Sequence, residues 1–270
     1  MRSASFIENA EFLARSLVTT IRRHQSDRSK RAVEEEYSTG WTQYNAWLDR
    51  TDRIESWLRI PGVEDQASPS NVNGRLTTGA FDSGAYYRQV LIDAIHRYFP
   101  AARSFAEFGS GVGRNLIAVK QAIPEATCFG YELCHPGVDV ARRAASKFNF
   151  DIQYAQLDYV NDPPDKYVFP VTDIAFTVFS LEQLPTQSGT ALRNILPRVR
   201  LGTLHLEPVP ENYPWVPRGI LGRIEHRRVD YLGGFDAIAR GTPGVSASFE
   251  RMASAHNPLM FPSLYVLRKT

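Results

Sequence analysis

Short apolar runs alternate with stretches of helical periodicity along the C-terminal two thirds of the chain. The apolar runs predict five strands and a final pair, at 104–108, 126–131, 152–157, 171–179, 201–206, 245–253 and 264–269. Apolar residues recur at helical spacing in 116–122, 137–148 and 189–196, and also in 86–98. Strands that alternate with helices are typical of an α/β protein with a mostly parallel sheet.

The N-terminal segment is predicted to be helical. Residues 5–24 have an amphipathic pattern, with apolar positions at Phe6, Ala10, Leu13, Ala14, Leu17 and Ile21. A basic stretch follows this pattern. We expect the helix to pack on the rest of the chain or on a second copy in a homo-oligomer; contact with a membrane surface or a polyanion is the alternative. Three tryptophans within 37–60 indicate an aromatic surface that is buried or faces a ligand.

Residues 61–83 are rich in glycine, proline, serine and asparagine. Such a composition is typical of a linker or a mobile loop. We therefore divide the chain into an N-terminal helical segment, 1–75, and an α/β domain, 76–270.

Three glycines at alternate positions follow the first predicted strand of the domain. They are Gly109, Gly111 and Gly113, and a helical pattern begins directly after them. A strand, a glycine turn and a helix form a nucleotide-binding crossover, in which the helix N-terminus offers free N–H groups to the ligand. A dinucleotide fingerprint needs a small residue at the sixth position, where this chain has Arg114. A carboxylate at Glu107 is also unfavourable beside a pyrophosphate.

An acidic residue also stands where such a crossover needs one. Glu132 ends the second predicted strand, about twenty residues after the glycines. A carboxylate at that position accepts hydrogen bonds from ribose hydroxyls.

The loop resembles the E/D-x-G-x-G-x-G sequence of class I S-adenosylmethionine (SAM) methyltransferases, and this resemblance covers about 86–270. It implies a Rossmann-like, seven-stranded, mostly parallel sheet with an antiparallel last strand and an N-terminal helical lid. SAM is then the methyl donor and S-adenosylhomocysteine (SAH) the product. The resemblance assigns cofactor contacts to Glu107, Gly109, Gly111, Gly113, Asn115, Glu132, Leu133, Asp158, Tyr159 and Phe179. Asp158 and Tyr159 take the adenine.

Proton acceptors are expected at the carboxyl ends of the fourth and fifth strands, where ligands bind in open α/β sheets. The candidates are Glu182, His205 and Glu207, with His256 in the final connection as a fourth. Each has a structural alternative: Glu182 binds the cofactor or a neighbouring backbone group, and His205 is a satisfied core histidine.

The acceptor is predicted to be a hydroxyl of a small molecule or a saccharide. The sequence Asn161–Pro164 resembles the N-P-P-Y sequence of amino-group methyltransferases, but it precedes the fourth strand instead of following it. In small-molecule methyltransferases an N-terminal lid often covers the site, so we assign Tyr37, Trp41 and Tyr44 to the substrate pocket. Arginines beside aromatics in 211–228 suit an anionic ring, and we add Trp215 and Arg218; a plain surface loop is the alternative.

Other functions stay open. A methyltransferase acting on protein or RNA has the same cofactor site, as does a non-catalytic SAM-binding module. A nicotinamide oxidoreductase is disfavoured by the loop sequence.

Composition changes this interpretation little. The net charge is +2, so we expect no nucleic-acid partner. Cys128 and Cys134 have neither disulfide-scaffold nor metal-site spacing, and no acidic and histidine cluster indicates a metal. No apolar run has the length of a membrane span, and we predict a cytoplasmic location.

Overall fold

The computed structural model describes residues 1–22, 29–59 and 68–270. Its strands are β1 Arg2–Ser3, β2 Ser70–Val72, β3 Arg75–Thr78, β4 Ser104–Phe108, β5 Thr127–Glu132, β6 Ile152–Gln156, β7 Thr172–Val178, β8 Val199–Glu207, β9 Val245–Arg251 and β10 Ser263–Lys269. Its helices are α1 Phe6–Arg22, α2 Lys30–Asp49, α3 Ile54–Leu58, α4 Ser83–Tyr98, α5 Arg114–Ala122, α6 His135–Lys147, α7 Ser188–Ile195, α8 Pro217–Arg228 and α9 Phe235–Gly241.

Seven strands form the central sheet in the order β6-β5-β4-β7-β8-β10-β9. The first five of these are parallel, and β10 lies antiparallel to both β8 and β9. The predicted fold, including the antiparallel last strand, is therefore confirmed. Strand order reverses direction between β4 and β7, and a crevice opens at the carboxyl ends of strands at such a switch point.

Two apolar clusters hold helices against the sheet. One contains side chains of α4, α5 and α6, with Leu91, Leu116 and Val138 almost fully buried. The other contains side chains of α7 and α9, with Leu192 and Phe235. Because both faces are covered, β7 is apolar nearly throughout its length, as the sequence pattern indicates.

A small antiparallel sheet replaces part of the predicted linker. Residues 70–78 form a hairpin, β2 and β3, and β1 pairs with the outer side of β3. The turn is Asn73-Gly74, and both residues have positive φ, which is the chemistry of a tight hairpin turn. This dipeptide is a hairpin signal that outweighs the loop-like composition around it. The domain boundary at residue 75 stays a prediction and lies at the start of β3, while 60–67 lie outside the described residues.

The first helix has apolar side chains on its solvent face. Phe6 is 88% exposed and Ile21 is 58% exposed, although α1 packs against α8. Arg228 Nη1 donates to the carbonyl oxygen of Ile21 at 3.1 Å. A homo-oligomer formed through the N-terminal helices stays a prediction. Part of the basic stretch, 23–28, lies outside the described residues. No helix among the described residues is long and apolar enough to span a membrane.

The helix α2 lies over the glycine loop and packs along α6. Ser29 caps its N-terminus, since the Ser29 Oγ accepts from the N–H of Ala32. Near its other end, Lys147 Nζ donates to the carbonyl oxygen of Leu48 at 2.8 Å. We refer to α2 and α3 together as the lid.

Arg114 anchors the lid to the first turn of α5. Its guanidinium carbon lies 4.6 Å from the ring centroid of Tyr44 and 4.7 Å from that of Trp57. Its Nε also donates to the carbonyl oxygen of Trp57 at 2.7 Å. Arg114, the large residue that argues against a dinucleotide-binding loop, therefore connects the lid to α5.

Replacing Arg114 should loosen the lid without unfolding the sheet. A buried cation–π contact contributes roughly 2 kcal/mol, so Arg114→Ala is expected to speed hydrogen exchange in 30–58 by about 30-fold. Arg114→Lys should do nearly the same, because a lysine cannot stack as a planar fork. The control is Arg198→Ala, which removes a comparable contact with Tyr167 away from the lid. Unchanged exchange in 30–58 would contradict the anchor.

Candidate active site at the switch point

A cavity of about 350 Å³ opens at the carboxyl ends of β4, β5 and β7. The lid and α4 cover it. Of the residues predicted to bind cofactor or substrate, it is lined by Gly109, Gly111, Asn115, Glu132, Leu133, Asp158, Tyr159, Phe179, Tyr37, Trp41 and Tyr44. The cavity also contains Glu182 in its wall.

The glycine loop passes very close to the loop after β7. Gly109 has φ of +78°, and a Cβ atom built on it would lie 1.9 Å from Ser180 Oγ. Gly113 has φ of +81° and stands at the N-cap of α5, where a Cβ would lie 2.4 Å from the hydroxyl of Tyr154. Only glycine adopts a positive φ readily and also has no Cβ atom that would clash at these two positions.

Glu132 fixes the glycine loop to the end of β5. Its Oε2 accepts from the N–H of Gly111 at 2.8 Å, and its Oε1 accepts from the N–H of Cys134 at 3.0 Å. Burial raises the pKa of Glu132, while these backbone donors lower it. Each carboxylate oxygen has a second acceptor position, so the group can hold the loop and still accept from a ligand diol.

Asp158 organises the turn after β6 and also contacts the lid. Its Oδ1 accepts from the N–H groups of Val160 and Asn161, each at 3.1 Å. Its Oδ2 lies 2.8 Å from Lys30 Nζ, at the start of α2. Burial raises the pKa of Asp158, but the contacts with Lys30 and the turn outweigh burial and lower it. The sequence pattern contains no signal for the Lys30 contact.

Glu107 lies behind the cavity wall and does not line the cavity. It is fully buried, and its Oε1 accepts from Asn115 Nδ2 at 2.7 Å. Burial raises the pKa of Glu107 well above its ordinary value. The side chain that lines the cavity at this point is that of Asn115, to which Glu107 is hydrogen-bonded. Gly113 also stands outside the lining.

Phe179 and Tyr87 also line the cavity. Phe179 has φ of +53°, an uncommon conformation for a bulky residue and a frequent one at binding sites. Its ring centroid is 4.6 Å from that of Tyr87. Sequence reasoning missed Tyr87, because its position in the helical pattern of α4 is typical of a core residue.

The Tyr87 hydroxyl reaches His256. It accepts from the backbone N–H of His256 at 3.0 Å and lies 3.0 Å from His256 Nδ1. A neutral His256 with its proton on Nε2 would accept the Tyr87 hydroxyl hydrogen at Nδ1. Burial lowers the pKa of His256.

Glu207 holds a turn and does not face the cavity. It is fully buried; its Oε1 accepts from the N–H groups of Ser180 and Leu181, and its Oε2 accepts from that of Glu182, all at 3.1 Å. Burial raises the pKa of Glu207 to about 7, although the backbone donors lower it. Its proposed role as a proton acceptor is corrected: it positions Glu182.

His205 is a satisfied core residue. Its Nδ1 lies 2.9 Å from Thr177 Oγ1 and its Nε2 lies 2.8 Å from Thr203 Oγ1. It is fully buried, and burial lowers its pKa to about 3. Both ring nitrogens have partners within the sheet, so His205 does not reach the cavity.

Trp215 and Arg218 also lie away from the cavity. Arg218 lies on the helix α8, whereas the alternative expected from the sequence was a plain surface loop. Its Nη1 donates to the carbonyl oxygen of Pro258 at 3.0 Å. Its Nη2 donates to the carbonyl oxygen of Gly74, so the side chain joins α8 to the hairpin turn. Trp215 is 79% exposed and lies against the guanidinium of Arg223.

A second, smaller cavity of about 170 Å³ shares Glu182 with the first. His256 and several residues of α8 line it. Glu182 therefore stands between the two cavities, and its Oε1 accepts from Gln183 Nε2 at 3.0 Å.

No protein-family model matches the chain, and no curated protein sequence matches it. Solved structures do match. Magnesium protoporphyrin IX methyltransferase from Synechocystis with bound SAM covers 90% of this chain and 98% of its own, with a TM-score of 0.57 and 13% identity. The mitomycin 7-O-methyltransferase MmcR covers 69% and 55%, with a TM-score of 0.52 and 15% identity. An O-methyltransferase family protein from Burkholderia thailandensis covers 68% and 56%, with a TM-score of 0.52 and 12% identity.

The chain has the class I SAM-dependent methyltransferase fold. The seven-stranded sheet and its flanking helices begin at residue 83. A match that covers 90% of the chain must therefore also include residues before 83. Part of the segment before the methyltransferase fold therefore also has a counterpart in that structure.

The buried His205 should make stability depend on pH in acid. Its folded pKa of about 3 is below its ordinary value of 6.5, so the unfolded chain binds one more proton between these values. Stability should therefore fall as pH decreases from about 6.5, with a slope of about 1.4 kcal/mol per pH unit from this residue. The free energy of unfolding of His205→Gln, measured by urea denaturation at a series of pH values, should depend on pH with a slope that is smaller by about 1.4 kcal/mol per pH unit.

His135→Gln is the control, because His135 is exposed. It should keep the slope of the unsubstituted chain. His226, whose pKa is lowered to about 4 by burial, should leave part of the slope in His205→Gln. An equal slope in both variants would exclude the assignment to His205.

Proposed function

We propose that this chain is a SAM-dependent methyltransferase that methylates a hydroxyl group of a small molecule or a saccharide. The observation that carries the proposal is one cavity whose lining contains the glycine loop, Glu132 and Asp158 together with Phe179, Tyr87 and Glu182. The first group suits a nucleoside, and the second group suits an acceptor placed beside a proton-accepting side chain.

The residues present fit SAM. Ser110 Oγ is buried in the wall of the cavity and has no hydrogen-bond partner among the described residues. Gly111 has φ of +52° and lines the cavity, and the Trp41 indole packs so closely over it that a Cβ there would lie 3.1 Å from the ring. In this proposal the glycine loop and Asn115 hold the amino-acid end, Glu132 holds the ribose, and Asp158 with Tyr159 holds the adenine.

When bound, SAM supplies a methyl carbon on a sulfonium leaving group. The protein has to hold an acceptor oxygen in line with that carbon, exclude water and accept the hydroxyl proton. The lid aromatics and Phe179 cover the cavity. Glu182 takes the proton in our assignment, because it lines the cavity and its backbone is fixed by Glu207. The pair Tyr87 and His256 is the second candidate.

Cofactor binding should depend on Glu132. Calorimetric titration is expected to show micromolar binding of SAM and SAH and no binding of NAD. Glu132→Gln should weaken SAH binding by about 100-fold, since a charged acceptor of two hydrogen bonds is lost. Glu125→Gln, an exposed carboxyl on the same domain, should bind like the unsubstituted chain. Binding of NAD alone, or of none of these ligands, would refute the proposal.

Turnover should depend on Glu182. With any hydroxylated ring that supports SAH release, Glu182→Gln is expected to lower kcat by about 100-fold, which is within the usual contribution of a general base. The Kd for SAH should stay unchanged, because the cofactor end is untouched. Glu250→Gln, on an exposed edge strand, is the control.

Two results would change the assignment of the base. Retained turnover in Glu182→Gln, together with loss in His256→Ala, would assign the proton to the Tyr87 and His256 pair. Binding of SAM with no turnover on any acceptor would instead support a non-catalytic binding module.

A further inference from the structure

The helix α1 turns its more polar side towards the protein and its more apolar side towards solvent. Its most buried side chain is that of Thr20, which is 2% exposed. Asn9 and Ser16 are half-buried on the same side, together with Phe12 and Leu13. An amphipathic helix at the surface of a protein normally buries its apolar stripe instead.

The exposed side of α1 is apolar along the whole length of the helix. It has large apolar side chains towards both ends and small ones between them, namely Phe6, Ile7, Ala10, Ala14, Leu17, Val18 and Ile21. We refer to these residues as the α1 face. A contiguous exposed apolar surface of this kind marks an interaction site.

The helix α8 continues this apolar surface. Arg228 reaches α1, where its Nη1 donates to the carbonyl oxygen of Ile21 at 3.1 Å. Ile224 and Ile220 precede Arg228 by four and eight residues, so they lie on the same side of α8. They are 43% and 42% exposed. A stable dimer buries about 800 Å² per partner, so a surface that extends over two helices suits it better than one helix alone.

The charges beside the α1 face indicate what covers it. They lie at intervals of three, four and seven residues and form one strip along the helix, namely Glu8, Glu11, Arg15 and Arg22. Glu11 follows Ile7 by one turn, so the strip borders the face. The strip is acidic in its first half and basic in its second. Its charges balance, whereas a helix that lies on a membrane has a polar face rich in lysine and arginine.

We propose that the α1 face binds a second copy of this chain, with the two α1 helices antiparallel about a two-fold axis. In such a pair the same flank of each helix lies on the same side of the interface, so the two charged strips are neighbours and run in opposite directions. Because the axis passes near the middle of the face, Glu11 lies beside Arg15 of the partner subunit. A parallel two-fold pair would put the strips on opposite sides.

The first test is the association state of the full chain. Sedimentation equilibrium is expected to show a dimer at micromolar concentration. Leu17→Glu should raise the dissociation constant of the dimer by at least about 100-fold, because it buries a carboxylate at two symmetric positions. Val168→Glu is the matched control, since Val168 is 64% exposed in the loop before β7, and this variant should remain a dimer. Circular dichroism checks that both variants are folded.

Exchange of charges tests the antiparallel arrangement. Glu11→Lys and Arg15→Glu each place like charges opposite one another in the homodimer, so each alone should raise the dissociation constant by about tenfold. An equimolar mixture of the two variants should form a heterodimer of nearly the original affinity, because the new charges are complementary across the interface. The contact within one helix, 3.8 Å from Arg15 Nη2 to Glu11 Oε2, is not restored by mixing.

The control makes the same exchange in an exposed pair on α2, where Arg31 Nε lies 2.8 Å from Glu35 Oε1. Arg31→Glu and Glu35→Lys should each leave the dimer unchanged.

Four outcomes overturn the inference. They are a monomer at all concentrations, a dimer that Leu17→Glu leaves intact, two charge variants that do not associate when mixed, and a monomer that binds vesicles of phosphatidylglycerol and phosphatidylcholine. The last outcome would assign the α1 face to a membrane surface. None of these measurements uses SAM or an acceptor, so the inference and the proposed function stand or fail separately.

Discussion

The close approach of two loops at the sheet edge determines the geometry of the whole site. The backbone at Gly109 lies so near Ser180 that no side chain fits between them. This contact joins the loop after β4 to the loop after β7, on either side of the strand-order reversal. It requires glycine on one side and a firmly held backbone on the other. Glu207 supplies the second condition by accepting three backbone N–H groups in the turn at 180–182.

Buried ionisable groups in this protein divide into supports and candidate reactive groups. Glu107, His205 and Glu207 are fully buried, and each is hydrogen-bonded to neighbouring protein groups, through Oε1 alone in Glu107. Their burial shifts their pKa values, yet none of them lines a cavity. Glu182 and His256 are held by these or similar supports and do line cavities. A shifted pKa alone would therefore select the wrong residues here, and access to a cavity is the better criterion.

The sequence predicts well those features that depend on neighbouring residues along the chain. Strand positions, the glycine loop and the carboxylate at the end of β5 all follow from local patterns, and the structure places them within a few residues of expectation. Features that depend on distant partners were not predictable. The role of Arg114 requires Tyr44 and Trp57 to close around it, and that of Tyr87 requires His256 from the far end of the chain.

Composition was the least reliable guide. Arginines next to aromatics in 211–228 suggested a ligand site, but a helix directs Arg218 towards two backbone carbonyls instead. Likewise, the glycine and asparagine content around residue 74 suggested a loop, although one Asn-Gly pair is enough to close a hairpin.

The ion pair between Lys30 and Asp158 connects the position of the lid to the occupancy of the site. Lys30 is the first residue of α2, and its ammonium group contacts the carboxylate that the proposal assigns to adenine. A ligand that bonds to Asp158 Oδ2 competes with Lys30, and the two equilibria are then thermodynamically coupled. Whatever free energy the lid gains from this pair is subtracted from the affinity of such a ligand. By the same reciprocity, a bound ligand weakens the hold on the N-terminal end of α2, whereas the Arg114 contact at Tyr44 and Trp57 is untouched. The start of α2 at Lys30 is thus coupled to a ligand at Asp158, while the part of the lid around Tyr44 and Trp57 is held by Arg114.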